Sequence, residues 1–265
     1  MAPRRSSDRL AVERRTVPTP VGDAVLHVSA AAEPVGVLAL GHGAGGGVDT
    51  PDLLALARAL PASGVSVVRL EQPWHVAGRK VAAPPPTLDR AWLAALAHVD
   101  RPEGHPPLVV GGRSAGARVA CRTAAELGAA GVLALAFPLH PPGRPERSRL
   151  AELELPTEAG LPVLVLQGTR DTFGGPPDVP SSAGRLVVPI EGGDHSFRVL
   201  KGGDQQGTLA RLVAVTQAWL GIETGVEVLT GNDLHAPGIL QRVSVLLVCL
   251  LMATLLPGLR QAFLR

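Results

Sequence analysis

The chain has 265 residues, 46% of them hydrophobic, enough for one α/β domain with a sizeable core and an appendage. Its 25 Lys and Arg residues against 23 Asp and Glu leave a net charge of +2, which removes the usual reason for a polyanionic partner, so no nucleic acid is expected. Only Lys80 and Lys201 among the bases are lysines, a compositional bias that leaves any single arginine little functional weight, and the two cysteines, Cys121 and Cys249, lack metal-type spacing and fit a reducing, cytoplasmic compartment.

Residues 1–14 are charged, lack the apolar run of a signal peptide and are expected to fray, so the domain is expected to span 15–221. Residues 15–30, RTVPTPVGDAVLHVSA, read as two short strands around a Pro/Gly turn, forming an antiparallel edge with Val25 and Val28 among the buried positions. VGVLALG (35–41) is an unbroken apolar run of the kind buried on both faces of a parallel sheet, and it leads into HGAGGG (42–47). A helix is expected over 52–60, a strand over 65–70 and an amphipathic helix over 89–99. The next apolar run, LVVG (108–111), passes through G-R-S-A-G (112–116) into a helix over 115–127. Further strands are expected at 131–137, 161–167 and 185–190, with at most one short helix near 149–155 and a closing helix over 207–220. Eight strands result, the later six separated by connections long enough for right-handed parallel crossovers. The expected class is therefore α/β, a mostly parallel eight-stranded sheet with helices on both faces.

In G-x-S-x-G the serine sits on a strained strand-to-helix turn that only small neighbours tolerate, and Gly112 and Gly116 meet that need. Ser114 would then stand above the sheet edge at a helix N-terminus, with the Ala115 amide facing a developing oxyanion. Asp171 follows the seventh strand and His195 the eighth, 57 and 24 residues further along in turn, and carboxyl ends of parallel strands share one sheet edge. A neutral serine is a poor nucleophile, so His195 would take its proton while Asp171 holds the imidazole tautomer. HGAGGG follows the third strand and can aim a second amide at the same oxyanion, Ala44 first and Gly43 next. The loop lacks the Lys-Ser/Thr end of a phosphate loop. Asp194, adjoining His195, is an alternative acid that as a sequence neighbour should point away. His42 is expected to pack under the glycine-rich loop, and His27, His98 and His105 read as ordinary histidines.

LGHGAGGG (40–47), GGRSAGAR (111–118), FPLHPPGRPERSR (137–149), LVLQGTRD (164–171) and GGDHSF (192–197) together resemble the α/β-hydrolases, and among them the lidless Tex30/KANSL3-like group, often described as dienelactone-hydrolase-like. The resemblance implies the α/β-hydrolase fold and puts Ser114, Asp171 and His195 in the nucleophile, acid and base positions. It leaves activity open, because that group includes complex subunits; a catalytically silent binding or scaffold protein is the alternative. A small-molecule acyl substrate (an ester, thioester or amide) is expected as partner, with no metal or organic cofactor and an oligomeric state that the sequence leaves open. Pocket candidates are Trp74 after the fourth strand, His140 after the sixth, and Arg113. In this fold a cap commonly enters after the sixth strand, and here 138–160 leaves room only for a minimal lid over an open site.

Beyond the domain, residues 222–265 form an apolar extension. VSVLLVCLLMATLL (243–256) is 14 uncharged residues, about 21 Å as a helix against a bilayer core of about 30 Å. Extending it to 239–259 admits Gln241 and Arg242 near one end, where they can snorkel. Membrane association through 239–259 stands beside a docked helix, an oligomer interface and a tail foreign to the fold.

Overall fold

The computed structural model describes residues 12–100 and 107–221. Residues 1–11 of the end expected to fray over 1–14, and the tail at 222–265, lie outside the described residues. Eight strands form one sheet: β1 (Val12–Val17), β2 (Ala24–Ser29), β3 (Gly36–Gly41), β4 (Val65–Glu71), β5 (Leu108–Arg113), β6 (Gly131–Leu135), β7 (Val163–Gly168) and β8 (Arg185–Ile190). Their order is β1-β2-β4-β3-β5-β6-β7-β8. Only β2 runs against its neighbours β1 and β4, and β3 to β8 are parallel. β1 begins at Val12, inside the segment expected to fray, because its pairing with β2 runs the full length from Val12 opposite Ser29 to Val17 opposite Ala24.

The sheet is covered on both sides, and its strands assign each residue to a side by alternation. Val37 and Ala39 of β3, Val132 and Ala134 of β6, and Val163 and Val165 of β7 share a core with Leu88 and Trp92 of α3 (Pro85–Leu96), Val119 of α4 (Ala115–Thr123) and Leu153 of α5 (Leu150–Glu158). The intervening Leu38, Leu40, Leu133, Leu135, Leu164 and Leu166 pack with Leu53 and Leu56 of α1 (Pro51–Ala59) and Leu212 and Trp219 of α6 (Gln205–Trp219). The face carrying Val and Ala lies under α4, and there helix and sheet approach backbone to backbone. A Cβ on Gly116 would land on the Gly41 carbonyl. Contact this tight fixes the start of α4 directly over the ends of β3 and β5.

Several boundaries differ from the expected ones for identifiable reasons. α3 starts at Pro85, four residues before the expected 89, because prolines fit the first helical turn, where no intrahelical N–H is required. β6 stops at Leu135, since Ala136 takes a positive φ of 46° and turns the chain out of the sheet. α4 stops at Thr123; the chain runs on in turns to Gly128, whose N–H closes a tighter turn on the Ala125 carbonyl. A one-turn helix, α2 (Pro73–Val76), follows β4 and was not foreseen. Between β6 and β7 the only helix is α5, which rests on α4 rather than over the sheet edge: Glu152 takes a two-pronged bond from Arg118 and another from Arg122, and Arg122 reaches Asp89 of α3.

Candidate active site

The carboxyl ends of β5, β7 and β8 bring Ser114, Asp171 and His195 together. Ser114 occupies the N-cap position of α4 with φ 54° and ψ −111°, a region that costs a non-glycine residue about 1–3 kcal/mol. The strain is held by what flanks it. The Ser114 N–H donates to the Leu135 carbonyl at 2.9 Å, and the Ser114 carbonyl accepts from the Arg118 N–H at 3.2 Å. Gly112 and Gly116 admit the Gly41 backbone where any side chain would collide. The hydroxyl is thereby fixed above the sheet edge and half-buried.

His195 Nε2 lies 2.9 Å from Ser114 Oγ, and its Nδ1 lies 2.8 Å from Asp171 Oδ2. With the carboxylate facing Nδ1, the proton sits there and Nε2 is free to accept the serine proton. The Asp171 side chain is fully buried. Its Oδ2 also accepts from Gln167 Nε2 at 2.9 Å and its Oδ1 from the Phe173 N–H at 2.8 Å, so the buried charge is met by three donors. The Phe173 ring stacks on the His195 imidazole with centroids 4.0 Å apart, holding the plane of the ring between Asp171 and Ser114.

Asp194, the alternative acid, is occupied elsewhere: its Oδ1 accepts the N–H groups of Ser196 and Arg198 at 2.7 and 2.9 Å, closing the turn that presents His195. The glycine-rich loop reaches the serine from the other side, where a Cβ on Gly43 would stand 3.4 Å from Ser114 Cβ. Ala115 is the first residue of α4, a position whose N–H has no intrahelical acceptor. Gly43, Ala44 and Ala115 line one small recess together with Trp74, Leu88 and Trp92.

Beneath the loop His42 is buried and uses both ring nitrogens, with Nδ1 donating to the Gly43 carbonyl at 2.9 Å and Nε2 accepting from the Gln72 N–H at 3.1 Å. Burial depresses its pKa, so it is a neutral pin for the loop rather than a proton carrier. Trp74, the first of the pocket candidates, lines the recess and packs edge-on against His75 and tilted against His42.

Two pocket candidates turn elsewhere. The Arg113 guanidinium is buried against Asp52 and the His195 loop, because the last residue of β5 directs its side chain toward α1 rather than into the recess. His140 donates from Nδ1 to the Pro141 carbonyl, and its backbone N–H binds the Phe173 carbonyl, which places it behind the acid loop. Gln167 and Phe173 escaped the sequence reading as partners of the site. The signal available was a glutamine ending an otherwise apolar strand, LVLQ, where a buried amide needs partners. Among the described residues no group of three or more His, Cys, Asp and Glu side chains is arranged to hold a metal ion.

The arrangement can deprotonate a serine hydroxyl and hold the resulting imidazolium, the first requirement of acyl transfer. Residues 34–221 match the family described as alpha/beta hydrolase domain. Among solved structures, an alpha-beta serine hydrolase homologue from Coxiella burnetii superimposes with a TM-score of 0.59 at 20% identity, covering 76% of this chain and 96% of that one. An a/b serine hydrolase without lid from Xanthomonas campestris gives 0.59 at 22% identity over 78% and 92%. A putative alpha/beta hydrolase from Agrobacterium tumefaciens gives 0.62 at 15% identity over 82% and 100%. No curated protein is similar enough to match. With its sheet order, its elbow and a family match over most of its length, the chain belongs to the alpha/beta hydrolases.

Proposed function

We propose that the protein is a cytoplasmic serine hydrolase that cleaves an ester, thioester or amide of a small to medium substrate through an acyl-enzyme, and that within its family it sits with the lidless, dienelactone-hydrolase-like group. The observation that carries this is the unbroken relay Ser114 Oγ, His195 Nε2, His195 Nδ1, Asp171 Oδ2, with contacts of 2.9 and 2.8 Å. Ser114 Oγ attacks the acyl carbon as His195 takes its proton. The carbonyl oxygen becomes an oxyanion, met by the amides of Ala115 and of Ala44 or Gly43. Collapse expels the alcohol, thiol or amine, which receives the proton from His195. Water then attacks the acyl-enzyme with His195 again as base, and release of the acid restores Ser114. The short connection between β6 and β7, with α5 bound to α4, supports an open site and substrates that need no deep tunnel.

A fluorophosphonate probe should label the wild type once, on Ser114, and Ser114→Ala should abolish labelling while the circular dichroism spectrum is unchanged. Folded wild-type protein that neither labels nor hydrolyses any activated ester overturns the reading and leaves a binding or scaffold role on a hydrolase fold.

A further inference from the structure

Arg113 is the last residue of β5, directly before Ser114, and its side chain meets the His195 turn, the first turn of α1 and the glycine-rich loop. Its Nη2 donates to the His195 carbonyl at 2.9 Å and to Ser196 Oγ at 2.7 Å. Its Nε lies 3.3 Å from Asp52 Oδ2, in the first turn of α1, with that carboxylate 1% exposed. The missing Cβ of Gly43 would sit 3.3 Å from Nη1, so the glycine-rich loop rests on the same guanidinium. Asp52 is the acid that faces this buried guanidinium: burial raises its carboxyl pKa, Arg113 opposes that rise, and the contact is an ion-pair approach without a hydrogen bond. An arginine fork spans such divergent partners, whereas a lysine ammonium is a single point that can satisfy one end only.

We propose that Arg113 is a positioning residue for the hydrolytic reaction: braced by Asp52, it fixes the backbone of the His195 turn so that Nε2 stays within proton-transfer distance of Ser114 Oγ. The inference rests on the hydrolase reading above. It goes beyond that reading in making the residue before the nucleophile, and an aspartate on α1, part of the machinery that holds the base. The 192–198 turn is tied at its start to the loop after β7, through Thr169 and Arg170 to Gly192 and Gly193, and at its end to α6, through Gln205 to the Phe197 carbonyl; Asp194 closes it internally, and Arg113 holds the carbonyl of His195 itself from β5. Because the guanidinium is buried and outside the recess, its loss should slow chemistry without weakening substrate binding.

The test is Arg113→Lys in the full chain, assayed with an aryl ester and with the fluorophosphonate probe. A displacement of the base by a fraction of an ångström to 1 Å should lower kcat by about 10- to 100-fold. KM should stay within about twofold, and the labelling rate of Ser114 should fall in parallel with kcat. Ser196→Ala removes one acceptor and leaves the Asp52 pair intact; it should fold even where Arg113→Lys does not, and lower kcat by roughly threefold, the scale of a weakened hydrogen bond. Folded Arg113→Lys and Ser196→Ala proteins with wild-type kcat overturn the proposal while Ser114 labelling still upholds the hydrolase reading. A change confined to KM also overturns it, since Arg113 would then be a substrate contact. Wild-type protein that does not label removes the hydrolase reading and this role with it.

Discussion

At the scale of single residues the site separates two aspartates that adjoin the same histidine in different senses. Asp171 is next to His195 in space, and Asp194 is next to it in sequence. Asp171→Asn should reduce kcat/KM for an activated ester by about 10⁴-fold, because an amide donor opposite Nδ1 favours the wrong tautomer, and His195→Ala should cost more still. Asp194→Asn keeps one acceptor for the Ser196 and Arg198 N–H groups and should cost less than tenfold. Equal losses in the two asparagine variants would reassign the acid. Cys121 provides a second residue-level expectation: burial pushes its thiol up to about 12, so alkylation of the folded protein near neutral pH followed by peptide mapping should leave it unmodified. Ser114, Asp171 and His195 were legible in sequence because each ends an apolar strand, and the fold delivers strand ends to one edge. Asp52, Gln167 and Phe173 were not: Asp52 meets Arg113 and the Phe173 ring meets His195 only through the tertiary fold, and Gln167, four residues from Asp171, faces it only because the chain turns back after β7.

At the scale of elements, the strands were legible through their apolar runs, and their alternation of small and large residues even separates the two faces. Helix limits were less so: α3 was expected from residue 89, where the apolar periodicity begins, and the chain instead starts it four residues earlier with Pro85 and Pro86 in its first turn. The clamp joining α3, α4 and α5 was invisible for the same reason as Asp52. Its centre is Glu152. Burial raises the Glu152 carboxyl, but Arg118 and then Arg122 outweigh it, and the pKa lies below the ordinary 4.5. A carboxylate lowered in the folded state adds stability that is fully present above the unfolded value and is lost as pH falls through the folded one. Glu152→Gln should therefore cost roughly 2 kcal/mol at pH 7, the scale of charge-assisted bonds in a partly exposed site. The gap from wild type in chemical denaturation should narrow steadily below pH 4.5. A gap that stays constant with pH would mean that packing, not charge, joins α5 to α4.

At the scale of the whole molecule, everything the proposed chemistry uses lies within the described residues. The leucine layer of the core closes with α6, whose Leu212 and Trp219 pack on that face of the sheet, and the family match ends at residue 221. Exposed large apolar side chains on this body, Val12, Val35, Val76, Val81, Leu155 and Leu200, belong to six different segments, and no described helix is long and apolar enough to cross a membrane. A chain ending at Gly221 should accordingly keep wild-type kcat/KM and melt within about 2 °C of the full chain, because it keeps both faces of the described core, the candidate site and the whole family match. The apolar run at 243–256 then acts, if it acts, on where the domain resides rather than on what it catalyses. An anchor at 239–259 requires that the full chain pellet with membranes and dissolve in detergent, while the chain ending at Gly221 stays in the supernatant with equal specific activity. A full chain that stays in the supernatant without detergent removes the anchor. A truncated chain that melts much lower shows instead that the tail docks on the domain.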